Sequence, residues 1–463
     1  MKVFTLGEIR DAVRGRLISG DENTQVRGFA IDSRLVEEGN MFFATKGARV
    51  DAHDYIPQVI ERGCRAFVVS DETKVPQGEN QQVGVILVED TLKALQELAV
   101  YYLGTLPLIH KIGVTGSVGK TSTRDMIYHV CSTKYKTGRN KKNYNSAHGL
   151  PLSILDFEED TQVAVLEMGM DGFGEIELLA SMVRPDIAVI TKIAAVNYEV
   201  LGNQENILKA KMEITTFFDS NCTLVVNSSC PMLSRDNVSG NYRLVTVGNE
   251  KEDDYIISNL RDSGDKGIEY NLCRNDKKYE IALPIPGGHN AYNASLAVAV
   301  GELVGIAPEE AQKGFENAAL TGRRLLVHSV PGLKVIDDCY NACEDSIKSA
   351  INTLVATEGK RKVAILGDIL GLAHYSEESH MSIGRYAAEQ GVDLLIAIGE
   401  QAEFYAKGAM EIMERDKVRH YSSKGEFIKK IDETMEEGDV VLVKASRGME
   451  LEDVVSALLK DKE

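Results

Sequence analysis

Residues 106–131 read LPLIHKIGVTGSVGKTSTRDMIYHVC. The apolar run LIHKIGVTG (108–116) predicts a strand ending in glycines, and TSTRDMIYHVC (121–131) predicts a helix. Strand, glycine loop and helix open a parallel α/β sheet. In the loop, Gly116, Ser117, Val118, Gly119, Lys120 and Thr121 have the chemistry of a phosphate cradle. Glycines let the backbone curl so that N–H groups point inward at phosphate oxygens, and the helix adds its positive end. Lys120 would offset charge on the β- and γ-phosphates, and Thr121 would place a hydroxyl on Mg2+. The strict eight-residue motif needs glycine six positions before Lys120, where Val114 stands, so only the GxxGKT half is kept. The bland alternative is a tight turn with a chance lysine; the strand before it and the helix after it disfavour that. Such a loop predicts a nucleotide but names no reaction.

Outward from this loop, TQVAVLEMG (161–169) and PDIAVITKI (185–193) read as further buried strands. Upstream, CRAFVVSD (64–71) and VGVILVED (83–90) belong to a smaller α/β unit, and TLKALQELAVYYLG (91–104) is the helix that leaves it. Downstream, residues 320–354 open a third cycle, with strands at KVAILGDIL (362–370), VDLLIAIGE (392–400) and DVVLVKASRG (439–448). A chain of 463 residues exceeds one ordinary domain. The expected class is α/β in three domains: a small N-terminal α/β domain (1–103), a central P-loop parallel-sheet domain (104–319) and a C-terminal Rossmann-like domain (320–463).

A net charge of −18 argues against nucleic-acid binding through a basic face. No run of 18 apolar residues occurs, so no membrane span is expected. The start, MKVFTLGEIRDAVRG, has no apolar signal core, which predicts a cytoplasmic protein. Seven cysteines without CxxC spacing disfavour structural zinc and a disulfide framework.

Glu167 ends the strand TQVAVLE. The carboxyl edge of a parallel sheet faces the ligand, and a carboxylate there can hold Mg2+; the plain alternative is a solvated strand-end glutamate. Lys211, in AKMEI (210–214), read alone is a surface lysine.

Taken together these segments resemble the muramyl (Mur) ligase family. The resemblance is carried by TGSVGKTST (115–123), NKKNYNSAHGLPLSIL (140–155), LEMGMDGFGEI (166–176), NQENILKAKMEI (203–214), PGGHNAYNASLAVAV (286–300), TGRR (321–324) and KASRGMELEDVV (444–455), in family order. IDDCYNACEDSIKSA (336–350) and LGDILGLAHYSEESHMSIG (366–384) resemble the branch of the family whose acceptor is D-alanyl-D-alanine, and DSRLVEEGNMFFATKGARVDAHDYI (32–56) resembles the domain that holds a UDP-sugar. The resemblance implies an ATP- and Mg2+-dependent amide ligase that phosphorylates the carboxylate of a UDP-muramyl-tripeptide and passes the acyl group to D-alanyl-D-alanine, in peptidoglycan synthesis. It implies a monomer that meets small-molecule substrates only.

By residue, the resemblance extends the ATP-binding set to Ser122, Asn290 (adenine), Arg323 or its neighbour Arg324, and Asp337 or Asp338. It makes Lys120 and Lys211 catalytic. Thr121 and Glu167 become metal ligands, joined by Lys211 once carbamoylated, because a cation in a metal site makes no electrostatic sense. Ser33, Arg34, Lys46, Gly47, Asn143, Asn145, Tyr340 and Asn341 become substrate residues. Five departures stand out: Lys192 replaces a family asparagine, Asn197 replaces the metal-binding histidine, Cys343-Glu344 replaces Asn-Pro, Ala52 replaces the glycine of Asp-Gly-His, and Ala445 replaces glycine in the closing motif. An asparagine oxygen is still a ligand that Mg2+ accepts. The departures leave open a paralogue for another amine, or a nucleotide-binding homologue with weakened catalysis.

Overall fold

The computed structural model describes residues 2–47, 50–75, 83–141, 143–196, 198–316, 318 and 322–460. Asn197, Thr321 and the expected boundary at 319/320 lie outside them. Three sheets and one short pairing, Phe4–Thr5 with Gln25–Val26, organise the chain.

In the first sheet Gly28–Ala30, Asn40–Phe43, Ala66–Val69 and Gly84–Leu87 run parallel, and Arg16–Ser19 closes one edge antiparallel. Every residue of Ala66–Val69 is buried. A strand covered on both faces shows no apolar–polar alternation, which is why it reads as one unbroken apolar run.

The second sheet has nine strands. Across it lie Lys277–Leu283, Ile268–Arg274, Tyr255–Asp262, Arg243–Gly248, Thr223–Asn227, Ile187–Ile190, His110–Thr115, Val163–Glu167 and Thr137–Arg139. Strands from Tyr255–Asp262 onward are parallel; the first two form an antiparallel extension. From His110–Thr115 the chain fills one side of the sheet and then returns to the other. The carboxyl end of that strand is therefore a topological switch point, where open α/β sheets bind ligands, and the glycine loop begins there.

The third sheet runs Leu326–Val330, Leu333–Asp337, Asp439–Lys444, Arg361–Gly367, Leu394–Ile398, Val418–Tyr421. Only the first strand is antiparallel. Asp439–Lys444, last in the chain, inserts beside Leu333–Asp337, so two carboxyl ends from distant sequence lie side by side.

The helix Thr91–Thr105 does more than lead out of the first unit. Asp90 caps it, accepting from the Leu92 and Lys93 amides. Its Leu95, Leu98 and Tyr102 join a core that continues into Leu150, Ile154 and Phe157 of the second unit. The Tyr102 hydroxyl donates to the Phe157 carbonyl at 2.7 Å. Among the described residues, no helix is long and apolar enough to cross a membrane.

Candidate active site

Gly116 and Gly119 adopt φ of 144° and 87°. A Cβ on Gly116 would lie 2.1 Å from Thr191 Oγ1, and one on Gly119 2.9 Å from Asn293 Oδ1, so this loop path requires glycine at both. The Ser117 amide donates to the Lys192 carbonyl at 2.7 Å, and Thr191 Oγ1 donates to the Val118 carbonyl at 2.5 Å. Lys120 opens the helix Lys120–Cys131 and folds back, its ammonium donating to the carbonyls of Gly116 (2.8 Å) and Ser117 (3.2 Å). Burial pushes this ammonium below the ordinary lysine value, against the pull of Glu167. Phosphate oxygens would supply the anionic partners that two loop carbonyls only approximate.

Glu167 pairs in register with Val114 beside the loop and is buried. Its Oε2 accepts from Thr121 Oγ1 and its Oε1 from Asn145 Nδ2, both at 2.8 Å. Asn140 clamps the backbone here: the Glu167 amide donates to Asn140 Oδ1 at 2.6 Å, and Asn140 Nδ2 donates to the Glu167 carbonyl at 3.1 Å. Asn143 stays on the exposed side of the same loop. Lys211 is not a surface residue: it is 2% exposed, with no hydrogen-bond or ion-pair partner among the described residues. Burial, then the facing Lys120, push its ammonium well below the lysine range, opposed by Asp171, Glu167 and Glu175. Glu213, two residues on, instead caps a helix, accepting from the Gly174 (2.8 Å) and Glu177 (3.3 Å) amides.

Among the described residues no group of three or more His, Cys, Asp or Glu could hold a metal. Thr121 and Glu167 nevertheless offer two hard oxygens in contact, which suits Mg2+: it keeps waters and takes one or two protein ligands plus phosphate.

The loop opens into a cavity of about 360 Å³ whose far wall comes from the third sheet. Arg324 reaches across and donates to Thr121 Oγ1 at 3.0 Å, its guanidinium 4.0 Å over the Tyr340 ring. Asp338 and Lys444, at the two adjoining strand ends, pair at 2.6 Å. Burial pushes the Asp338 carboxyl up even against that ammonium. Tyr340 and Asn341 line the same wall, and Asn290 and Asn145 the near one. Arg323 and Asp337 do not line the cavity: they pair with each other at 2.9 Å. The positions facing the cavity are thus their neighbours Arg324 and Asp338. Ser33 and Arg34 follow the strand Gly28–Ala30, and Lys46 and Gly47 follow Asn40–Phe43, at the carboxyl edge of the first sheet. None of the four lines this cavity, and Arg34 folds onto Asp32.

Three contacts among cavity residues are ones that the motifs did not announce. Lys192 pairs with Asp345 at 2.9 Å, and the Ser349 hydroxyl meets His289 Nδ1 at 2.6 Å, both across the cavity. Burial, with Lys444 and Lys192 nearby, pushes His289 down to about 4. Lys444 also donates to the Asn341 carbonyl at 2.8 Å.

A phosphate loop on one parallel sheet, with an arginine and a buried ion pair closing over it from another, defines a nucleotide-driven enzyme whose site is completed between domains. Family models match in three consecutive stretches: Mur ligase family, catalytic domain at 25–102, Mur ligase middle domain at 114–301, and Mur ligase, glutamate ligase domain at 322–447. The chain belongs to the Mur ligase family, ATP-dependent ligases that form amide bonds. It is 38% identical, over 98% of both chains, to the UDP-N-acetylmuramoyl-tripeptide--D-alanyl-D-alanine ligase of Bacillus subtilis (strain 168), and 30% identical, again over 98% of both, to that of Escherichia coli (strain K12). Among solved structures, MurF from Acinetobacter baumannii superposes with a TM-score of 0.87 at 27% identity over 100% of both chains. MurF ligase from Thermotoga maritima in complex with ADP gives 0.80 at 26%, covering 94% of this chain and 98% of that one.

Proposed function

We propose that this chain joins D-alanyl-D-alanine to UDP-N-acetylmuramoyl-tripeptide through an acyl phosphate, cleaving ATP to ADP and phosphate. The observation that carries the chemistry is the contact of Thr121 with Glu167 beside Lys120, met from the opposite sheet by Arg324. The substrates follow from the relatives, matched along nearly the whole chain. A carboxylate is a poor electrophile: ATP supplies the phosphoryl group that gives it a leaving group, and Mg2+ offsets phosphate charge. The carboxylate oxygen attacks the γ-phosphorus and ADP leaves; the dipeptide amine then attacks the carbonyl carbon, loses a proton, and phosphate leaves.

Lys120 and the loop amides from Gly116 to Ser122 hold the phosphates, and Arg324 stabilises charge as it moves between oxygens. Thr121 and Glu167 would hold Mg2+, and Lys211, once carbamoylated, would hold a second ion. Asn290 lies toward adenine and Asp338 toward ribose. Asn143, Asn145, Tyr340 and Asn341 flank the reacting ends. Ser33, Arg34, Lys46 and Gly47 take the UDP end, within residues 1–103; residues 104–319 bind ATP, and residues 320–463 close the cleft against water, which would hydrolyse the acyl phosphate. The chain works as a cytoplasmic monomer in peptidoglycan precursor synthesis. Incubation with ATP, Mg2+, the UDP-muramyl-tripeptide and D-alanyl-D-alanine should yield a product heavier than the nucleotide substrate by one dipeptide less water. No such mass with any of lysine- or diaminopimelate-containing tripeptides would overturn the proposal.

A further inference from the structure

One helical turn after Lys120, Arg124 shares the inward face of the phosphate-loop helix and is 0% exposed. Its Nε and Nη2 donate to Asp125 Oδ1 at 2.9 and 2.5 Å, and its Nη1 donates to Glu167 Oε2 at 3.3 Å. Asp125, equally buried, accepts on the same Oδ1 from Arg139 at 2.6 Å. That guanidinium lies 4.2 Å over the Tyr128 ring. A buried line of alternating charge thus runs Arg139, Asp125, Arg124, Glu167.

Two effects of Arg124 on Glu167 oppose each other. A cation beside a metal-binding carboxylate repels the incoming ion, yet a directional hydrogen bond fixes the carboxylate for it. The geometry decides between them. Asp125, which also pairs with Arg139, takes the two shorter contacts and sets the plane of the Arg124 guanidinium, so Nη1 meets Glu167 as a directional hydrogen bond. With Asn145 on Oε1 and Thr121 on Oε2, Arg124 completes a three-sided hold on the carboxylate. A guanidinium does not lose its proton, so the hold is permanent.

We propose that Arg124 is a positioning residue for the metal site, acting through Glu167 to orient the carboxylate that takes Mg2+ with the nucleotide. This rests on the reading of Thr121 and Glu167 as Mg2+ ligands. The competing role is a counter-ion for Asp125 alone. Arg124→Met separates them, because Arg139 still pairs Asp125 and no buried carboxylate is orphaned. Arg124→Lys keeps a cation for Asp125 while losing the fork that also reaches Glu167.

The test is equilibrium binding of ADP to the full chain, in EDTA and across a Mg2+ titration. In EDTA both variants should bind as the wild type does. The Mg2+ concentration that half-saturates the tightening should rise roughly 10- to 100-fold in Arg124→Met, as outer-shell losses commonly do, and by an intermediate factor in Arg124→Lys. A wild-type midpoint in both variants overturns the proposal. Glu167→Gln keeps the two levels apart. Lost Mg2+ tightening in Glu167→Gln with a normal midpoint in Arg124→Met leaves the metal site standing and removes Arg124 from it. Absent tightening in the wild type overturns the metal site and the proposal together. If Arg124→Met does not fold, a wild-type midpoint in Arg124→Lys alone overturns the proposal.

Discussion

The Arg324 guanidinium donates a hydrogen bond to the Thr121 hydroxyl at 3.0 Å, and that same hydroxyl donates to Glu167 at 2.8 Å. One oxygen at the end of the glycine loop thus joins the third sheet to the buried Glu167 carboxylate. Arg324→Ala should lower kcat by roughly 10²- to 10³-fold, the usual loss of a charge-stabilising donor. Arg324→Lys should not restore it, because a lysine has neither the fork nor the stacking on Tyr340. Steady-state kinetics decide; a normal kcat for Arg324→Ala beside a large loss for Arg323→Ala would reverse the assignment of the two neighbours.

Lys120→Ala removes the ammonium that covers the loop and should cost at least about 10²-fold in kcat. Near-normal turnover in that variant would sink the phosphate-loop assignment.

Lys211 is buried without a partner among the described residues and is pushed well below the lysine range. A neutral amine is the form that reacts with carbon dioxide, and the carbamate would turn that neutral group into an anion able to share a metal ion with Glu167. Lys211→Ala should be inactive and regain part of its activity with a small added carboxylate. Unaltered activity would remove Lys211 from the metal site.

His289 titrates near 4 when folded, pushed down by burial and by Lys444 and Lys192, against about 6.5 when unfolded. Between these values the unfolded chain binds the extra proton, so stability rises with pH across that window. The contribution is complete above about pH 6.5, and about 3 kcal/mol of it is lost as pH falls toward 4. Charging His289 beside Lys444 and Lys192 adds like-charge repulsion at the cavity, so this loss should loosen the third domain. His289→Gln should flatten the pH dependence of denaturant midpoints in that window; an unchanged slope would rule His289 out as its source.

Lys192 and Asp345 are 40% and 44% exposed, so their pair across the cavity is worth about 0–1 kcal/mol. Asp345→Asn should raise the KM for ATP a few-fold at low salt, leave kcat unchanged, and match wild type at high salt. A kcat loss above roughly tenfold would mean that Asp345 touches the reacting groups.

Local signals were legible in the sequence and tertiary choices were not. The strand, glycines, Lys120 and Thr121 are contiguous, and Glu167 ends an apolar run, so one-dimensional pattern suffices for them. Arg323 against Arg324, and Asp337 against Asp338, is a choice of side. Asp337 ends a strand, where successive residues point to opposite faces, and Arg323 and Arg324 lie in a bend before the left-handed Leu325 (φ 51°); only the fold shows which member of each pair faces the cavity. Lys211 reads as a surface lysine because its burial comes from neighbours distant in sequence. The antiparallel extension Tyr255–Leu283 is not legible in the sequence because its half-exposed strands lack the apolar runs that mark the parallel ones. Arg124 had a signal: it stands four residues after Lys120, on the same helical face.

The most direct test of the central claim is to follow an oxygen. With the terminal carboxylate of the UDP-muramyl-tripeptide labelled with oxygen-18, turnover with ATP, Mg2+ and D-alanyl-D-alanine should release inorganic phosphate carrying one labelled oxygen per amide bond formed. Unlabelled phosphate alongside amide product, or label in AMP, would contradict the acyl phosphate route.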